Sequence, residues 1–82
     1  MTNKLFIGNL SHGTTSAQLE EHFAKYGKVL MAKAILDKEG HCKGFGFVDM
    51  GNEEEAQKAM QHLNHSELDG KEIEVKEAKP QE

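Results

Sequence analysis

The stretch "KGFGFVDM" at residues 43–50 places two large rings, Phe45 and Phe47, two positions apart. In a β-strand both rings would point to one face of the sheet, and Gly46 and Val48 would point to the other. Because Val48 belongs on the side that a hydrophobic core buries, we expect both rings to lie on an uncovered face. A ring left there forgoes roughly 1.5–3 kcal/mol of burial. Open rings of this kind can stack against flat, conjugated ligands.

A second stretch, "KLFIG" at residues 4–8, contributes one more ring. Leu5 and Ile7 alternate with Phe6, so the Phe6 ring is predicted to face away from the core. Gly8 falls on the same face as Phe6 and would leave room for a flat ligand. Rings flanked by lysines suit single-stranded nucleic acid, because bases stack on the rings and ammonium groups meet the phosphates.

Length and charge limit the possibilities. The 82 residues indicate one small domain, residues 1–82, with a folded core at 4–78 and a short tail at 79–82. The formal net charge of −4 favours solubility and argues mildly against a nucleic-acid partner. All ten basic residues are lysines, so no guanidinium group is present for bidentate recognition. We expect a monomer.

Targeting signals are not visible in this sequence. The first residues, "MTNKLFIGNL", have no secretory pattern, and no apolar run approaches the ~20 residues that a membrane span needs. The single cysteine, Cys42, cannot form an internal disulfide, which suits a reducing compartment. We therefore expect a cytoplasmic protein without a membrane partner.

Capping signals and turn residues divide the chain into six elements. Thr15 with Gln18, and Asn52 with Glu55, have the spacing that opens a helix, and an apolar stripe follows each pair. The predicted strands are 4–8, 28–37, 43–50 and 71–78, and the predicted helices are 15–27 and 51–64.

The order βαββαβ predicts an α+β fold, a ferredoxin-like plait with two helices packed on one face of a four-stranded antiparallel sheet. The first and third strands are central neighbours in this topology, so the three rings meet on the face without helices. The predicted core consists of Leu5, Ile7, Leu10, Leu19, Phe23, Val29, Ala32, Ala34, Val48, Ala56, Met60, Ile73 and Val75.

Two stretches carry a family resemblance. "LFIGNL" at 5–10 and "KGFGFVDM" at 43–50 resemble RNP2 and RNP1, the signature motifs of the RNA recognition motif family. The second matches the RNP1 pattern except at Met50, where Phe or Tyr is usual and where alternation points the side chain inward. The resemblance covers roughly residues 4–78 and is greatest to the small single-domain RNA-binding proteins of bacteria.

This resemblance implies a role for each matching residue in binding single-stranded RNA. Phe6 and Phe47 would stack bases, Phe45 would contact sugars, and Lys43 would hold a phosphate. The other lysines expected to flank the bound strand are Lys4, Lys33, Lys76 and Lys79. The sequence does not distinguish RNA from single-stranded DNA as the ligand.

Glu74 departs from the family pattern, because Arg or Lys is frequent on the ring side of the fourth strand. Ile73 and Val75 are predicted to point into the core, so Glu74 is expected on the open face. Its carboxylate would either repel the phosphate backbone or accept a hydrogen bond from a base. We favour repulsion here, because carboxylate contacts to bases are the rarer use.

Other functions fit less well. The alternative is a protein-protein interaction module that uses the sheet or the helix faces, which the negative charge favours. Acylphosphatases resemble the βαββαβ architecture but depend on an arginine, and no Ser-His-Asp or paired-carboxylate arrangement is recognisable. We therefore predict no enzyme activity, no catalytic residue and no small-molecule substrate.

Metal binding is not predicted either. Cys42 and five histidines lack the C-x₂-C or H-x₃-H spacing of a ligand set, and His62 and His65 straddle a predicted helix end. Neither a metal nor another cofactor is expected.

Overall fold

The computed structural model describes residues 3–78. Lys79 and the rest of the predicted tail lie outside the described residues. The strands are β1 Lys4–Gly8, β2 Val29–Leu36, β3 Cys42–Met50, β4 Glu67–Leu68, β5 Lys71–Glu72 and β6 Glu74–Glu77, and the helices are α1 Ser16–Ala24 and α2 Glu53–Leu63.

Four strands form the large sheet in the order β2-β3-β1-β6, with antiparallel pairs throughout. This confirms the predicted plait, including the central position of β1 and β3. α1 contacts β2 and β3, while α2 contacts β1, β3 and β6. Both helices pack against the buried face, and the opposite face carries the rings. Between residues 3 and 78 no helix is long and apolar enough to cross a lipid bilayer.

The last predicted strand, 71–78, is interrupted at Ile73. Its first two residues, β5, pair with β4 across Asp69 and Gly70, whose φ angles of 53° and 82° are typical of a type I′ turn. The Ile73 N–H donates to the Ser66 carbonyl at 2.8 Å, and the Ile73 side chain is buried. Only β6 therefore joins the large sheet.

Helix α1 begins as predicted, because Thr15 and Gln18 form a capping box. The Thr15 hydroxyl accepts the Gln18 N–H at 3.2 Å, and the Gln18 side chain accepts the Thr15 N–H at 2.8 Å. The helix ends earlier than predicted, at Ala24, since the Tyr26 N–H turns back to the Phe23 carbonyl at 3.1 Å.

Helix α2 is tied to the loop after α1 by Glu55. Asn52 caps the helix by accepting the Glu55 N–H at 2.8 Å. The Glu55 carboxylate in turn accepts the Lys28 N–H at 3.1 Å. A Cβ on Gly27 would lie 2.8 Å from the Glu55 Cβ, so this packing explains the glycine.

The core forms where the sequence predicts it. Ten of the predicted residues are buried, while Val29, Ala32 and Met60 are half-buried and pack against them. Met50 points inward as alternation predicts. Besides Gly8 and Gly46, the buried residues that the predicted core omits are Thr14, Cys42, Met50, Ala59 and Leu63.

Gly46 lets the layers approach each other at the centre of the core. A Cβ at this position would lie 2.5 Å from the Lys33 carbonyl oxygen, 3.0 Å from Leu19 Cδ1 on α1 and 3.1 Å from the Ala34 Cα. The glycine between the two rings of β3 is therefore required by close packing on the other side of the sheet.

Candidate nucleic-acid interface

Strand register assembles one row of side chains across the large sheet, on the face opposite the helices. Phe6 on β1 lies opposite Phe47 on β3 on one side and opposite Lys76 on β6 on the other. Phe47 in turn lies opposite Lys33 on β2. The row reads Lys33–Phe47–Phe6–Lys76, with two central rings and an exposed lysine at each end. We call this surface the ring face.

The three predicted rings form one cluster. The Phe6 and Phe47 centroids lie 5.6 Å apart in an edge-to-face arrangement, and those of Phe6 and Phe45 lie 5.9 Å apart with an interplanar angle of 27°. Phe45 and Phe47 meet edge to face at 6.4 Å. Each ring is half-buried, because the rings cover part of one another's surface. A planar group can still reach the three rings from solvent.

Lysines surround this cluster on several sides. The Lys4 Nζ lies 5.2 Å from the centroid of the Phe47 ring, close enough for a cation–π interaction. Lys43 precedes Phe45 by two residues and is exposed. Gly44, between them, has a φ of 105°, and the β2–β3 pairing is irregular near this end. The register therefore brings Lys33 and Lys76 into the central row, and Lys43 lies beyond it.

Asp49 is a ring-face residue that lies outside the predicted site. It lies opposite Lys4 on β1 and opposite Met31 on β2. The signal was present, because the alternation that puts Phe45 and Phe47 on the ring face also puts Asp49 there. The ring face thus carries a carboxylate at the Lys4 end of β1.

Glu74 is exposed on β6 and lies opposite Gly8, as its predicted place on the open face requires. Gly8 does not leave the predicted room. It is buried, and a Cβ built on it would meet Phe6 Cε1 at 3.3 Å and Glu74 Oε2 at 3.9 Å. The ring edge and the carboxylate close over the glycine from two sides.

Strand β2 carries exposed apolar side chains that were also not predicted. Leu30 is 57% exposed, Met31 40% and Leu36 50%. The register shifts between Val29 and Met31, so Leu30 lies at a bulge, where simple alternation no longer assigns its face.

Two groups outside the ring face, His22 and Asp37, have lowered pKa values. Burial, with a smaller contribution from Lys25, lowers the pKa of His22 on α1. Backbone N–H groups, that of His41 above all, lower the pKa of the Asp37 carboxyl in the β2–β3 loop. Residues 3–78 hold no cluster of His, Cys, Asp and Glu that could bind a metal ion.

The sequence model of the RNA recognition motif matches residues 5–74. The chain belongs to the RNA recognition motif family. The RNP2 motif of this RNA recognition motif domain is strand β1 and its RNP1 motif is strand β3, and the two strands are hydrogen-bonded neighbours.

This RNA recognition motif domain is similar to proteins from plants and from bacteria. It is 47% identical over 77 residues to the chloroplastic 29 kDa ribonucleoprotein of Arabidopsis thaliana, covering 93% of this chain and 22% of the relative. It is 39% identical over 79 residues to the putative RNA-binding protein RbpB of Nostoc, and the match covers 95% of this chain and 77% of the relative. The chain spans 27% to 56% of the length of further relatives. The Nostoc match confirms the resemblance to bacterial members.

The fold also matches solved members of the family. The structure titled "Sxl-lethal protein/RNA complex" superposes with a TM-score of 0.91 at 26% sequence identity, and the match covers all of this chain and 50% of the other. The RNA recognition motif domain described here therefore has the family's fold over its whole described length.

Proposed function

We propose that this chain binds single-stranded RNA on the ring face. The observation that carries the proposal is the row Lys33–Phe47–Phe6–Lys76, which sets two adjacent rings between two ammonium groups in register. At about 4.8 Å between strands, the row is about 14 Å long, so the bound strand would cross the sheet over both rings. Its bases would stack on Phe6 and Phe47, and its phosphates would pass the lysines.

The other residues extend this surface. Phe45 stands beside Phe6 with an angle of 27° between the ring planes, so it can contact a sugar next to a stacked base. Lys43 would hold a phosphate beyond Phe45, and Lys4 would support the Phe47 ring and meet the backbone at the other end. Lys79, outside the described residues, is proposed as a further contact.

Binding, and not catalysis, is the activity that these side chains favour. The ring face gathers rings and ammonium groups, which stack on bases and neutralise phosphates. We further propose that residues 1–82 act as one monomeric cytoplasmic domain, without a cofactor or small-molecule substrate, and that single-stranded DNA binds to the same rings. Size-exclusion chromatography with light scattering and cell fractionation test the oligomeric state and the compartment.

The test of RNA binding is a titration followed by fluorescence anisotropy. Three labelled probes share one sequence with all four bases: single-stranded RNA, the same RNA annealed to its complement, and single-stranded DNA. We expect saturable binding of the single-stranded RNA and at least about tenfold weaker binding of the duplex, whose bases stack on each other and cannot reach the rings. If the single strand does not bind, or the duplex binds equally well, the proposal is wrong.

A further inference from the structure

The position of the Glu74 carboxylate is the starting point. The Cβ atoms of directly opposite residues in a sheet are about 4.5–5.5 Å apart. A side chain that points straight out or towards solvent therefore has its terminal atoms more than this distance from the Cβ position of its cross-strand partner. Glu74 Oε2 nevertheless lies 3.9 Å from the Cβ position of Gly8, its partner on β1. The side chain therefore leans from the outer strand towards the rings.

The Phe6 ring approaches the same point from the other side. Phe6 Cε1 lies 3.3 Å from the Gly8 Cβ position, and the Phe45 residue is the partner of Gly8 on β3. The Glu74 carboxylate and the edge of the Phe6 ring thus meet over Gly8, and the strand that carries Phe45 lies beside them. A base stacked on Phe6 would have its edge near the carboxylate.

The carboxylate is available to such a base. Among residues 3–78, no hydrogen bond or ion pair engages the Glu74 carboxylate, and the residue is exposed. An ionised carboxylate only accepts hydrogen bonds. It therefore distinguishes bases by the donors on their edges.

The four bases differ sharply in these donors. Guanine offers an N1–H and an N2 amino group side by side, which matches the two oxygens of a carboxylate. Cytosine and adenine each offer one amino group, at N4 and N6. Uracil offers a single N3–H between two carbonyl oxygens, which a carboxylate repels.

We propose that Glu74 selects the base stacked at Phe6, favouring guanine, then the other amino-bearing bases, over uracil. This inference rests on the proposed RNA binding and adds a specificity-determining residue to it. Sequence alone favours backbone repulsion, but the geometry places the carboxylate beside the ring edge, while Lys76, two residues along the same strand, ends the central row where a phosphate would pass.

The test uses four labelled seven-nucleotide RNAs: uridine throughout, or uridine with one central guanosine, cytidine or adenosine. Each is titrated against the wild type, Glu74→Gln and Asp49→Asn at low salt. Asp49→Asn is the matched control, because it removes the same charge from the ring face without touching the carboxylate over Gly8. A thermal melt confirms that each variant is folded.

We expect the wild type to bind the guanosine probe about tenfold more tightly than oligouridine, with cytidine and adenosine between them. Glu74→Gln should bring the four probes within about twofold, because an amide presents an NH₂ donor group beside its acceptor oxygen and pairs with uracil as well. Asp49→Asn should keep the wild-type order.

Three results would overturn the inference. If the wild type binds all four probes equally, RNA binding stands but base selection at Phe6 does not. If Glu74→Gln tightens all four probes by one factor and keeps their ratios, the carboxylate repels phosphates only. If no probe binds the wild type, the proposed function fails together with the inference.

Discussion

Phe6 and Phe47 are direct partners across the two central strands, and their ring centroids lie 5.6 Å apart in an edge-to-face arrangement. The pair joins the RNP2 and RNP1 motifs, which are far apart in sequence, into one surface. Each ring is half-buried against its neighbours, and the core lies on the other side of the sheet. Substitutions at these rings should therefore affect ligand binding much more than folding.

Phe47→Ala should weaken binding of single-stranded RNA by about 1–3 kcal/mol, the range for one lost base-stacking contact. Anisotropy titration measures the affinity, and circular dichroism follows the fold. Leu36→Ala is the matched control, because it removes an apolar side chain that is 50% exposed on a neighbouring strand. If Phe47→Ala unfolds the protein, or binds RNA as the wild type does, the ring does not have the proposed role.

Lys33→Gln should lower both the affinity and its dependence on salt. Each phosphate contact contributes about −0.7 to the slope of log K against log salt for a single strand. With about two to four contacts from the lysines of the ring face, the wild-type slope should be roughly −1.5 to −3. Lys58→Gln, at an exposed position on α2, should leave the slope unchanged. A wild-type slope steeper than about −5 would reveal a basic surface elsewhere.

Gly46→Ala should destabilise the fold by about 1–3 kcal/mol, the usual cost of overpacking. The new methyl group would meet the Lys33 carbonyl oxygen at 2.5 Å, and backbone cannot move aside as a flexible side chain does. Urea denaturation measures the free energy of unfolding. Gly13→Ala is the control, because its nearest contact, Asp69 Oδ2, lies 3.4 Å away. Equal stability of the two variants would contradict the close packing at Gly46.

Acidification should reduce stability through His22. Burial, and to a lesser extent Lys25, lowers the pKa of this imidazole below its ordinary value of 6.5, so the unfolded chain binds the proton more readily. The contribution of His22 to stability is therefore full above pH 6.5 and is lost as the pH drops through 6.5 towards the lowered pKa. Thermal melts at pH 7.5 and 5.5 should show a smaller difference for His22→Gln than for the wild type. An unchanged difference would mean that other groups cause the pH dependence.

Much of the ring face was predictable, because strand alternation is local. Phe45 and Phe47 lie on the same face whichever strands pair with β3. Because Val48, which follows Phe47, is buried, that face is the one opposite the core. Helix starts were predictable for the same reason, since Thr15 and Asn52 cap residues three positions away. The position of Asp49 on the ring face follows from the same alternation.

Other features depend on segments that are distant in sequence. The last predicted strand, 71–78, has two partners, because its first two residues form β5 and pair with β4, whereas Glu74–Glu77 form β6 and pair with β1. The break at Ile73 lies where the partner changes. Leu30 is exposed because a bulge shifts the register of β2, and Gly8 is covered because Phe6 and Glu74 lean over it.

The sequence by itself determined the element order, the family and the face on which each ring and lysine of a strand lies, because these follow from contacts within a few residues. Only the tertiary structure decided that Lys33, Phe47, Phe6 and Lys76 form one row and that Glu74 reaches over Gly8. A register shift of two residues preserves every buried and exposed face, so alternation cannot distinguish such registers. Cross-strand hydrogen bonds and packing of the whole core select one of them.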